Sequence, residues 1–139
     1  MKNIKFSRLF AAMMFVAVLS FAGCKQQPEE KHYAIEGTWT SVENDGYTIS
    51  NEKVVYDDGG FGFGWTRTLK EVTDSYFYTM DDNGKYYATA YKNLTDSSCQ
   101  FTNAWKSGGL SFTDSLEEAK EEFTVENEYY GLWGTYIKQ

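Results

Sequence analysis

Residues 37–60 read Gly37-Thr38-Trp39-Thr40-Ser41-Val42, then Glu43-Asn44-Asp45-Gly46, then Tyr47-Thr48-Ile49-Ser50, then, after Asn51-Glu52, Lys53-Val54-Val55-Tyr56 and Asp57-Asp58-Gly59-Gly60. Threonine, valine, tyrosine and tryptophan suit a pleated, half-buried surface. The acidic clusters ending in glycine supply the positive φ angles of tight reversals. The stretch therefore reads as short β-strands folded back on one another, and the same pattern runs through most of the chain beyond it.

Strands are expected at 38–42, 47–50, 53–56, 61–72, 76–80, 85–92, 98–105 and 129–138, with another explicit turn at Asp81-Asp82-Asn83-Gly84. Short strands in such number with turn-length connections make a sandwich or a small closed barrel. Period-two alternation places Trp65 and Leu69 on one face with Arg67 between them. It also groups Cys99 and Phe101 with Trp105, and Trp133 with Ile137. The glycines of Phe61-Gly62-Phe63-Gly64-Trp65 mark either a flexible aromatic loop over a barrel mouth or a sharp bend at a barrel corner. One segment departs from β-structure. Ser115-Leu116-Glu117-Glu118 is a capping box, and Leu116, Ala119 and Phe123 then recur at helical spacing. A short amphipathic helix is expected over 116–123, packed on the β-domain by that stripe, with its glutamates forming a solvated face.

Gly37-Thr38-Trp39 on the first expected strand resembles the Gly-x-Trp opening shared by lipocalins, avidins and related small ligand-binding barrels. In that group the tryptophan closes one barrel end against a basic side chain from the last strand, a part that the resemblance gives to Trp39 and Lys138. Lipocalins also end in a helix followed by a strand, the order expected after Ser115. The resemblance thus implies a calycin-like architecture: a mostly β, small antiparallel barrel of about eight strands with one short helix near the C-terminus.

The first 23 residues differ in composition from the remainder. Lys2, Lys5 and Arg8 precede a mostly apolar run over 9–22, too short to span a bilayer comfortably and followed directly by the polar 25–31. The run ends in Phe21-Ala22-Gly23-Cys24, which resembles the lipobox of bacterial lipoproteins, with phenylalanine where leucine is usual. That resemblance implies removal of 1–23 as a signal peptide, diacylglycerol on the Cys24 thiol, and three acyl chains in all. One chain binds a bilayer reversibly, whereas two or three hold a protein stably. The expected organisation is a signal peptide over 1–23, a lipidated cysteine and flexible tether over 24–34, and a barrel domain over 35–139. The protein is then held at the cell membrane or outer membrane, facing the periplasm or the exterior.

Residues 1–23 hold three of the 13 basic residues and none of the 20 acidic ones, so the remaining 116 residues carry a charge of −10. Such a balance excludes the basic footprint that nucleic acid requires and leaves a basic protein as a possible partner. If Cys24 bears lipid, Cys99 has no disulfide partner; on its apolar strand it reads as a small buried side chain. The one histidine, His32, falls in the tether, which leaves the barrel none for zinc or general-base chemistry. The Asp/Asn-rich turns do not match the spaced calcium loop. No catalytic constellation, metal set or cofactor motif is visible, and an enzyme is not expected.

The most suggestive chemistry is aromatic, with four tryptophans and eleven tyrosines. Trp65, Trp105 and Tyr91 are the residues expected to line a cavity if one exists, although large rings equally serve to fill the core of a small domain. The reading that asks least of the sequence is a non-catalytic binding or interaction module at the cell envelope. A lipocalin-like carrier of a small apolar ligand is the alternative, as is an inhibitor of a basic host enzyme such as lysozyme.

Overall fold

Eight strands close into one antiparallel barrel in simple sequence order: β1 (Gly37–Ser41), β2 (Gly46–Ile49), β3 (Lys53–Asp57), β4 (Trp65–Val72), β5 (Tyr76–Met80), β6 (Tyr86–Lys92), β7 (Ser98–Asn103) and β8 (Gly134–Lys138). The structure is a computed structural model, and it describes residues 30–139. The expected signal peptide and the lipobox with Cys24 lie outside the described residues. β8 pairs with β1 through Trp39 and Lys138, Thr40 and Ile137, and Ser41 and Tyr136, and so removes the free edges that an open sheet would expose.

Alternation decides what enters the barrel. Trp39, Tyr47, Ile49, Val54, Leu69, Phe77, Tyr91, Cys99, Phe101 and Tyr136 form one buried cluster, together with Ile35 from the segment before β1. The turns obey their sequence signals. In the β5–β6 turn Gly84 has φ 74°, and the Asp81 carboxylate accepts the backbone N–H groups of Asn83 and Lys85, both at 2.9 Å. β4 carries a bulge: Leu69 pairs with Thr79 and Glu71 with Tyr78, leaving Lys70 as the extra residue. The insertion turns Glu71 outward and returns Val72 to the inside opposite Phe77, which keeps a carboxylate out of the core. Glu71 instead accepts from Lys120 at 2.7 Å.

The expected helix is present as α1 (Leu116–Glu122), with Ser115 as its N-cap accepting from the Glu118 N–H at 3.2 Å. The reciprocal half of the box is displaced by one residue, since the Glu118 carboxylate takes the N–H of Asp114. Ala119 and Phe123 are fully buried against Tyr78, Ala88 and Ala104 on the outside of the barrel. The small side chains of Ala88 and Ala104 let the helix approach the strands closely.

Three strand boundaries differ from expectation by more than one residue. β4 starts at Trp65 rather than residue 61, because the Asp58 carboxylate claims the N–H groups of Gly60, Phe61 and Phe63 that a ladder would need. β7 ends at Asn103 rather than 105, since Ala104 bridges to Tyr130 and the Trp105 N–H goes to the Tyr129 carbonyl. β8 starts at Gly134 rather than 129, after a 3₁₀ turn over Val125–Asn127 and the left-handed Glu128, with φ 59°. No helix among the described residues is long and apolar enough to cross a membrane.

Candidate ligand cleft at the open end of the barrel

The two barrel ends differ in chemistry. At the end where β1 begins and β8 finishes, Trp39 is completely buried; its Nε1–H donates to the Ile35 carbonyl at 2.8 Å. The Lys138 Nζ lies 5.1 Å from the centroid of that indole, within cation–π range. Gly37, at φ 138°, permits this closure, because a Cβ there would stand 2.5 Å from the Lys138 Cε. Tyr91 is buried at the same end and donates its hydroxyl to the Thr73 carbonyl. Cys99 sits nearby, and burial pushes its thiol up to about 11, away from nucleophilic reactivity.

The opposite end, where β2, β4, β6 and β8 begin, is polar and aromatic. Asp45 lies one step before Tyr47 and Ile49 in the inward phase of β2. Its carboxylate accepts three hydroxyls: Ser41 on Oδ1, and Tyr56 at 3.1 Å and Tyr136 at 2.7 Å on Oδ2. Burial raises both phenols, Tyr56 to about 12, and the Asp45 carboxylate adds to the shift in each. The hydroxyl of Tyr47 accepts from Asn103 Nδ2 at 2.8 Å, and Asn103 Oδ1 accepts from Thr89 at 2.7 Å. Arg67 is stacked between two rings, its guanidinium carbon 4.1 Å from the Trp65 centroid and 3.3 Å from that of Tyr87.

A cleft of about 570 Å³ opens at this end between the β1–β2 turn and the start of β8. Asp45, Tyr47, Tyr56, Tyr136 and Trp133 contribute to its wall, with Glu43, Val42 and Leu132 also along it. No lysine, arginine or histidine lines it. Leu132 is 97 % exposed and Val42 94 %, so apolar side chains stand in water at its edges. The loop between β3 and β4 also ends here. Its three N–H bonds to Asp58 hold that carboxyl below the usual aspartate range, the Phe63 N–H being the largest cause. The loop is thereby shaped with Phe61 78 % and Phe63 80 % exposed. The segment is thus an exposed aromatic loop at the open end, bent at its glycines.

The residues expected to line a cavity do not come together. Trp65 stands inside the open end, tilted against Tyr56 and edge-on to Tyr47 with centroid separations of 5.6 and 6.3 Å. Tyr91 belongs to the filled closed end. Trp105 is 67 % exposed, because the alternation that would group it with Cys99 and Phe101 stops with β7; it borders only a shallow outer groove. Trp133 precedes β8 and carries the Lys92 Nζ 3.9 Å from its ring centroid, while Ile137 faces outward and is half exposed. Nothing in the sequence marks Asp45, Tyr56, Asn103 and Tyr136 as a group. Their one available signal is that Asp45 and Asn103 keep the inward phase of their strands at a strand end.

The interior below the cleft is occupied. Tyr47 lies 5.0 Å from Phe101, 5.3 Å from Tyr136 and 6.3 Å from Phe77, centroid to centroid, in edge-on and tilted contacts. These rings fill the barrel interior beneath the cleft. Among the described residues no group of three or more His, Cys, Asp or Glu could hold a metal ion. No protein-family model, curated protein or solved structure matches the chain.

Proposed function

We propose that the chain is a lipid-anchored bacterial envelope protein that binds a partner or ligand, without catalysis, through the open end of a calycin-like barrel. The observation that carries the reading is the asymmetry of the barrel. One end is sealed by Trp39 under Lys138, while the other joins a cleft of about 570 Å³ to exposed apolar side chains at Val42 and Leu132. Isolated exposed apolar residues are ordinary; several placed around one concave surface are what binding surfaces display. Support for the anchor is the apolar run ending in Phe21-Ala22-Gly23-Cys24. A carrier of a fully enclosed apolar ligand is less well supported, since interlocked rings fill the barrel interior.

The anchor is tested by labelling cells with an alkynyl fatty acid: label and membrane fractionation are expected for the native chain and are lost in Cys24→Ala. Native mass spectrometry of the chain, released gently from its host, tests the binding end. An adduct displaced by substitution at Leu132 and Val42, and untouched by Lys138→Met, supports it. An adduct that responds only to changes at the Trp39 end would sink it.

A further inference from the structure

We infer that the open-end cleft takes a protonated organic amine, with the Asp45 carboxylate as its counter-charge and the surrounding rings as its cage. This rests on the reading that the open end is the binding end, and it names the chemistry of what binds there.

The cleft holds an unbalanced charge. Ion pairs between described residues include His32–Glu36, Lys85–Asp114, Lys106–Glu122 and Lys120–Glu71; none of these includes Asp45 or Glu43. Among the described residues, every side chain that hydrogen-bonds to the Asp45 carboxylate does so through a neutral hydroxyl. An ionised carboxylate offers about four lone-pair sites, so three hydroxyls leave roughly one free. Hydroxyl donors orient the carboxylate and solvate it, yet they leave its negative charge in a cleft that contains no cationic side chain. A carboxylate held by neutral donors alone still has an accepting site for a cation entering from solvent.

The walls select the kind of cation. Tyr56 and Tyr136 stand beside the acid with their hydroxyls on Asp45 Oδ2, and aromatic rings stabilise ammonium groups through the ring quadrupole. A hard metal ion would instead need six to eight oxygens, and one carboxylate among rings does not supply them. The filled interior stops the ammonium near Asp45, so its hydrocarbon portion extends outward past Val42 and Leu132, the two most exposed apolar side chains. Charge inside and apolar surface at the rim match an amine on a short hydrocarbon stem. A free small amine and a lysine side chain share that chemistry.

Arg67 gives the strongest competing reading, an anion site. It does not line the cleft, and its two faces are already covered by Trp65 and Tyr87. An anion in the cleft would also meet Asp45 and Glu43.

The test uses the full chain purified in a non-ionic detergent and titration calorimetry at low salt. Phenethylammonium chloride is compared with its neutral counterpart 2-phenylethanol. A second arm compares a short peptide bearing one lysine with the same peptide acetylated at that lysine. Saturable binding of the charged member of either pair is expected, with affinity about tenfold or more above the neutral member, and falling with added salt. The arm that responds identifies the source, small amine or protein lysine. Asp45→Asn should abolish the preference for charge, its melting temperature reporting whether it is folded; the charged-against-neutral comparison on the native chain stands without the variant. Equal binding of charged and neutral probes overturns the inference while leaving the open end as the binding end. No binding of any probe by the native chain also overturns it, and adduct mapping by mass spectrometry then judges the open-end reading separately.

Discussion

At one end of the barrel Trp39 is wholly buried, its single polar atom satisfied by the Ile35 carbonyl and its face covered by Lys138. At the other end Tyr47, Tyr56 and Tyr136 also point inward, but each has a hydroxyl that needs a partner, and they find Asn103 and Asp45. Both ends obey the same alternation of strand side chains. They differ in what the inward rings carry. An indole whose N–H is satisfied by the adjacent chain packs shut, whereas phenols bring hydroxyls inward that only other polar side chains satisfy. The closed end is thus sealed by an apolar ring, and the open end is lined by a polar network.

The largest effect is expected at the closed end. Trp39→Ala removes a fully buried ring and its hydrogen bond, and should cost about 3–5 kcal/mol, read as a lower midpoint in urea unfolding. A loss below about 1 kcal/mol would mean that this end is not where the fold is secured.

An intermediate effect is expected from alkaline pH, and the open end contributes three of the phenols behind it. Tyr47, Tyr56 and Tyr136 all have phenols raised above the ordinary value of 10.0 by burial, Tyr56 to about 12. A raised folded-state value means that the folded protein holds these protons more tightly than the unfolded chain. Their contribution is therefore complete below pH 10 and declines as pH rises from there through the folded-state values. Urea midpoints should be level just below pH 10 and fall above it, with late phenolate absorbance in the folded protein. Full titration of every tyrosine near pH 10 without unfolding would contradict the buried network.

The smallest effects separate the two ends most finely. Lys138→Met withdraws one cation from the Trp39 face and should cost about 0.5–1 kcal/mol. Leu132→Ser, at a side chain 97 % exposed, should change stability by no more than about 0.5 kcal/mol while weakening whatever the cleft binds. A stability loss from Leu132→Ser exceeding that from Lys138→Met would show that the rim is structural.

Much of this architecture was legible in the chain. Asp81-Asp82-Asn83-Gly84 announced its turn through residues whose local geometry is nearly independent of context. Ser115 and the stripe of Leu116, Ala119 and Phe123 announced α1 in the same way. Legibility ended where a side chain overrode backbone propensity. Phe61 and Phe63 are good strand formers, yet Asp58 diverts their N–H groups into a loop. Trp105 continued an apolar alternation, yet its N–H is taken by the Tyr129 carbonyl, distant in sequence. The bulge at Lys70 was also hidden, since a pattern of period two does not say where one residue will be skipped.

Which side chains are able to face inward, where the chain reverses and where the helix starts are properties of the sequence alone, because each depends on neighbours within a few residues. The closure of β8 onto β1 is a property of the tertiary structure, and it brings Tyr136 to Asp45 across 91 residues of chain. A hydroxyl has no preference for its partner until strand register sets the distance between them. Apart from the local bond between Ser41 and Asp45, the candidate site is made of such distances, and it came into view only once the barrel was closed.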